Sequence, residues 1–260
     1  MSVIRGARER ARIEVTAAIK EEARRQLAAE GAARLSLRAV ARELGMVSSA
    51  LYRYFPSRDD LLTALIIDAY DAIGAAAEDA LARAVEQDAA PADRWAAICR
   101  AAGEWAVAHP HEYALIYGSP VPGYTAPLDT IGPASRAALA LFSVVRDAHR
   151  DGLLTQPPGN PLAAPVRADA ARLAAELAPD LPVRTVAALV AAWAQLFGLI
   201  SFEVFGQFNR VVEARREFLD LAAAGLARQV GLGATASAST DTPEEIPADA
   251  SAADGVLPAK

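Results

Sequence analysis

A glycine at position 45, set between two short helical runs and followed by a proline at 56, constrains this chain more than any other local feature. The stretch SLRAVARELGMVSSALYRYFPSR, residues 36–58, begins with a serine placed to cap a helix whose inward face is Leu37, Val40, Ala41 and Leu44. Gly45 makes the turn. A second helix over about Ser48–Phe55 turns Leu51 and Phe55 inward, one turn apart. Pro56 stops it, because the residue before a proline is pushed out of the α region. Ser57 with Asp60 three residues on forms the start of the next helix, acidic in its first turn as the helix dipole favours. Two short helices about a tight turn, the second left with Val47, Ser48, Ser49, Tyr52 and Arg53 outward, are the pattern of a helix-turn-helix. Such a motif lays its second helix in a DNA major groove about 12 Å wide.

The rest of the chain predicts an all-α fold. Alanine dominates and fixes no side-chain entropy in a helix, and no run alternates β-branched or aromatic residues with polar ones as a strand would. Val15, Ile19, Ala23 and Leu27 make the stripe of a first helix over about 8–30, ended by Gly31. Further helices are predicted to about residue 88, then near 92–108, 111–118, 130–151, 166–177, 183–206 and 211–230. Proline-rich connections lie at 118–127 and 155–165. The organisation is a head at 1–58, a helical body at 59–232 and a disordered tail at 233–260, whose small and acidic residues have almost nothing to bury. Cys99 is the single cysteine, and the N-terminus is charged from Arg5 with no apolar signal core, so a reducing cytoplasm is expected.

Charge is segregated along the chain. Residues 1–58 carry twelve Lys and Arg against six Glu, a net of +6, while residues 59–260 carry fourteen against twenty-six acidic side chains, a net of −12. A basic head attracts phosphate and an acidic body orients the encounter. Within the head, Ser36 and Arg38 on the first motif helix and Arg58 at the next helix start are placed for phosphates. Val47, Ser48, Ser49, Tyr52, Arg53 and Tyr54 are placed for the groove.

Residues 10–66 resemble the DNA-binding head of the TetR family of bacterial transcriptional regulators, through SLRAVARELG, the LYRYF helix and the following S-R-D-D-L-L. The resemblance implies a three-helix head with Tyr52 and Arg58 on phosphates and Val47, Ser48 and Ser49 near base edges. The family usually has a serine or threonine where Val47 stands. The cap of that helix must therefore shift to Ser48 or be lost at about 1 kcal/mol.

In the body, WAQLFGLISFEVFGQF at 193–208 follows a run apolar almost all round the helix. A membrane span is short here and interrupted by Gln195 and Ser201. A helix buried between its own subunit and a symmetry mate is the better account. This stretch, with YALIYGSPVPGYTAP at 113–127, resembles the C-terminal domain of a TetR subgroup named for a W-H-G motif. Trp193 and Gly198 are in place, and Phe197 stands where the histidine would be. The resemblance implies an inducer pocket in each subunit and a dimer through the last two helices. Trp105, Tyr113, Tyr117, Phe142, Trp193 and Phe197 are the candidate lining, and with no charge projecting among them the expected effector is apolar or aromatic. His109, His111 and His149 read as capping or exposed residues, so no metal is expected, nor any cofactor; no catalytic signature is present. The sequence thus predicts a cytoplasmic, homodimeric regulator and not an enzyme. A small ligand would release it as a repressor from a palindromic operator. The alternative is a constitutive DNA-binding or protein-interaction module without an effector.

Overall fold

The computed structural model describes residues 2–233, so the tail expected from 233 onward lies, past Gly233, outside the described residues. Ten α-helices follow one another: α1 (Ser2–Glu30), α2 (Leu37–Glu43), α3 (Ser48–Leu51), α4 (Arg58–Glu86), α5 (Pro91–Ala108), α6 (Pro110–Tyr117), α7 (Ile131–Arg150), α8 (Ala164–Leu177), α9 (Val183–Val204) and α10 (Arg215–Gln229). Short 3-10 turns occupy Ala32–Arg34 and Leu128–Thr130, and no strand occurs among the described residues. The all-helical architecture is therefore the one the sequence predicts.

The helix boundaries follow local chemistry. Ser36 caps α2 by accepting from the Ala39 amide at 3.4 Å. Ser57 caps α4, accepting from the Asp60 amide at 3.1 Å while its hydroxyl donates to the Asp60 carboxylate at 2.8 Å. Gly45 turns the chain at φ +64°, a backbone region that favours glycine. Two elements differ from expectation. Helix α1 begins at Ser2, not near residue 8. Helix α3 has no side-chain cap at Val47 and holds α geometry only to Leu51, where the chain tightens into 3-10 bonds such as Tyr54 N–H to Leu51 C=O before Pro56.

Burial divides into two clusters. The head cluster joins Ile19, Ala23 and Leu27 of α1, Leu37, Val40 and Ala41 of α2, and Leu51 and Phe55, with Leu61, Leu62, Leu65 and Ile66 of α4. The boundary expected at residue 58 thus falls at the start of a helix whose first two turns complete the head's core. The body cluster is built on α5, α7, α9 and α10 with the distal part of α4, around the fully buried Trp95, Leu141, Leu189 and Leu196. Gly74 lets α7 lie close on α4: a Cβ there would stand 2.7 Å from that of Arg136, which itself binds Asp71 and Glu78. Leu128–Arg150 and Val183–Val204 are long and apolar enough to cross a membrane by length and composition. Each instead supplies a face to this core, Val144 and Val145 from α7, Val186 and Ile200 from α9.

Candidate nucleic-acid interface and body cavity

Helix α3 is held from beneath by Leu51 and by Phe55 just beyond it, both buried. That leaves Val47, Ser48, Ser49, Tyr52 and Arg53 exposed on one surface, with Arg38 of α2 exposed beside them. Neither Arg38 nor Arg53 has a carboxylate within ion-pair distance among the described residues, whereas Arg42 pairs with Glu43 at 3.4 Å. Tyr54 is only half exposed: it packs on the head core, and the Arg12 guanidinium lies 5.7 Å over its ring. Ser36 is half-buried, its hydroxyl taken by the Ala39 amide and its own N–H directed to the Gln26 side chain at 3.4 Å.

Arg58 departs most from its expected place. Its guanidinium turns inward and donates to the carbonyls of Leu35 at 3.2 Å, Ala32 at 2.8 Å and Ala33 at 3.3 Å. These carbonyls end the 3-10 turn between α1 and α2, so a cation there satisfies acceptors that the helix geometry leaves open. Arg58 is a brace of the α1–α2 corner in this conformation, and its donors are engaged before a phosphate could use them. Arg58→Ala is therefore expected to lower the melting temperature and weaken DNA binding while leaving the salt dependence of binding unchanged. Loss of a phosphate contact would instead flatten the slope of log K against log salt by about 0.9.

In the body, α4, α6, the 118–127 connection, α7, α8 and α9 enclose an open cavity of about 770 Å³. Of the six predicted lining residues, Tyr117, Phe142 and Trp193 reach it; Trp105, Tyr113 and Phe197 do not. Trp105 stacks on His109 at 5.1 Å, away from the cavity. Tyr113 is fully buried, its hydroxyl donating to the Phe197 carbonyl at 3.0 Å and lying 2.9 Å from the Ser201 hydroxyl. Phe197 stacks behind Tyr117 at 4.4 Å and supports it from the core side. Aromatic content alone does not tell the two sides of a wall apart.

The remaining lining includes Tyr70, Tyr124, Ala134, Ser135 and Ala138, which sequence reasoning passed over. The signal was present on α7, where Ile131, Ala134, Ala138 and Phe142 recur at helical spacing and leave a shallow face. No side chain lining the cavity is charged. Burial raises the Tyr117 phenol well above its ordinary range, helped by neighbouring Tyr70 and Tyr113, and burial likewise raises Tyr70. These walls stay neutral at physiological pH.

The cavity touches the head directly. Ile66 is buried in the head core and lines the cavity, while Leu115, Ile116, Val121 and Tyr124 line it and pack against the head core from the other side. The Tyr124 hydroxyl lies 2.9 Å from that of Thr63 on α4. Glu112 of α6 accepts from Arg24 of α1 at 3.1 Å, and Arg24 also binds Asp68 of α4 at 2.8 Å.

Comparison with known proteins places this geometry among regulators. Residues 19–65 match the family described as bacterial regulatory proteins, tetR family, and residues 95–226 match the tetracyclin repressor-like C-terminal domain. The HTH-type transcriptional regulator Rv1816 of Mycobacterium tuberculosis (strain ATCC 25618 / H37Rv) is 44% identical over 211 residues, 78% of this chain and 86% of that relative. The crystal structure of SCO4313 superposes with a TM-score of 0.65 at 33% identity, over 84% of this chain and 97% of the other. The TetR family transcriptional regulator PfmR from Thermus thermophilus shares the fold, with a TM-score of 0.53 at 19% identity over 81% of this chain and 97% of its own.

Proposed function

This chain belongs to the tetR family of bacterial regulatory proteins, and from that premise we propose that it is a homodimeric repressor, released from a palindromic operator by a small uncharged, largely apolar ligand. The family is one of DNA-binding transcriptional regulators rather than enzymes. The finer reading rests on one observation above the others: a sizeable cavity without a charged lining residue shares Ile66 with the core that holds the DNA-reading helix. Cavities of this size suit drug-sized ligands, and a neutral wall disfavours a charged one because its desolvation is left uncompensated by any partner.

On the DNA side, α3 enters the major groove with Ser48 and Ser49 toward base edges, Val47 near thymine methyls, and Tyr52, Arg53 and Arg38 on the backbone or groove rim. Few long side chains stand at the tip of α3, so sequence-dependent DNA shape carries part of the specificity. The dimer forms through α9 and α10, where Phe202 and Leu221, with Phe205 just past the end of α9, are exposed large apolar residues. Two heads then address half-sites about 34–36 Å apart. Trp193 and Gly198 support placement in the W-H-G subgroup, although Phe197 replaces its histidine. A cytoplasmic place of action goes with that reading.

A ligand that packs against Ile66, Ile116 and Tyr124 favours one setting of α4 and α6 over another, and coupling of about 1–3 kcal/mol is typical of such a change. The test is a panel of neutral aromatic and aliphatic compounds matched to their carboxylate and amine analogues. Neutral members are expected to raise the melting temperature, by the equivalent of about 2.7 kcal/mol at a hundredfold excess over Kd, and to dissociate the protein from DNA. Stabilisation without dissociation would leave a constitutive DNA binder. Equal stabilisation by the charged analogues would overturn the assignment of a neutral ligand.

A further inference from the structure

We propose that the first turns of α1 form a second DNA-contacting element, in which Arg8 and Arg12 bind backbone phosphates beside the groove that α3 occupies. The direction of α1 carries the argument. Near its C-terminal end, Arg24 binds Glu112 of α6 and Asp68 of α4, and Lys20 binds Asp68 at 2.7 Å, so this end faces the body. On another face of the same turns, Ile19 and Ala23 are buried in the head core. Farther back, Arg12 lies over the ring of Tyr54, immediately after α3. Helix α1 therefore runs from its contacts with α4 and α6 to the segment that follows α3. Arg8 is one more turn along, about 6 Å farther.

The face of α1 changes character at that point. Leu27, Ala23, Ile19 and Val15 pack inward, and the same face continues at helical spacing into Arg12 and Arg8. Arginine replaces aliphatic side chains where no core remains to be covered. Their charge is also uncompensated. Lys20, Arg24 and Arg25 each have a carboxylate partner, Arg25 with Glu22 at 2.6 Å. Arg8 and Arg12 are exposed and have none within ion-pair distance among the described residues, even though Glu9 precedes Arg12 by three positions. Paired cations of α1 hold the protein together, and of the unpaired ones Arg8 and Arg12 share the face that meets Tyr54, whereas Arg10 stands on the opposite side of the helix. A polyanion with regularly spaced charges fits the Arg8 and Arg12 face, and each phosphate neutralised releases counterions.

The test is the salt dependence of binding by the full chain. Two probes of equal length serve, a duplex selected from random sequence by the wild-type protein and an unrelated duplex. Arg8→Ala is expected to flatten the slope of log K against log salt by about 0.9 per engaged subunit, and Arg8→Ala with Arg12→Ala by about 1.8, on both duplexes alike. The ratio of affinities for the two probes should stay that of the wild type. Arg10→Ala, which removes the same charge from the opposite side of α1, should leave the slope unaltered. Because Arg12→Ala also removes the contact on Tyr54, the single Arg8→Ala variant decides the matter: Arg8 makes no hydrogen bond or ion pair among the described residues. An unchanged slope in Arg8→Ala overturns the proposal. So does an equal flattening by Arg10→Ala, which would reduce the effect to net charge.

Discussion

Leu51→Ala is expected to weaken specific DNA binding by at least about 30-fold while leaving the body folded. Helix α3 is a single turn, lacks a side-chain cap, and has Leu51 as its one buried residue. A helix so short has no stability of its own in water, so its geometry exists only through tertiary anchors. Truncating a fully buried leucine costs about 2–5 kcal/mol. If that cost falls on the ordering of α3, affinity drops by about 30-fold to several thousandfold. The three tryptophans, Trp95, Trp105 and Trp193, all lie in the body, so intrinsic fluorescence should remain native in the variant. Wild-type affinity in the presence of that native signal would mean that α3 is not the reading element. Loss of the tryptophan signal together with binding would mean that the substitution unfolds the whole chain.

Filling the cavity should separate ligand response from DNA binding in the opposite sense. Ala134 and Ala138 are one turn apart on α7 and both line the cavity. Replacing both with tryptophan places two large rings in space that a ligand would use, without altering α2 or α3. The variant is expected to bind DNA as the wild type does, and to show neither thermal stabilisation nor release with neutral compounds active on the wild type. Retained release would place the effector elsewhere. A variant that no longer binds DNA would point to the rings pressing on Ile66 and Tyr124, which bound the cavity on its head side. The single Ala138→Trp substitution, with a smaller added volume, then serves as the milder test.

Much of this was legible in the sequence where the cause is local. Ser36, Gly45 and Ser57 act on their immediate neighbours, and each does in the fold what its chemistry predicts. The stripe of α1 from Val15 to Leu27 and the order of the body helices were readable for the same reason. Arg58 was not, because the carbonyls that claim it lie 23 to 26 residues away and only the tertiary fold brings them near. The truncation of α3 was half readable: the missing cap at Val47 was visible, but the 3-10 tightening before Pro56 is a backbone outcome. The cavity was least legible. Tyr113 and Phe197 share with Tyr117 and Trp193 every property a sequence shows, and differ in which side of a wall they face. The small residues of α7 that give the cavity its room have no individual signature.

Ile66 occupies a position with two masters. One side of its side chain belongs to the packing under the DNA-reading helix, and another to the wall a ligand would meet. A lineage that enlarges or polarises the cavity there to accept a new molecule must also repack the head, and one that retunes the head must reshape the cavity. Selection for a new signal is therefore easiest at Ala134, Ser135 and Ala138 on α7, which line the cavity without belonging to the head core. Diversification of ligand choice among relatives of this chain should concentrate on that wall, with the Ile66 side held nearly constant.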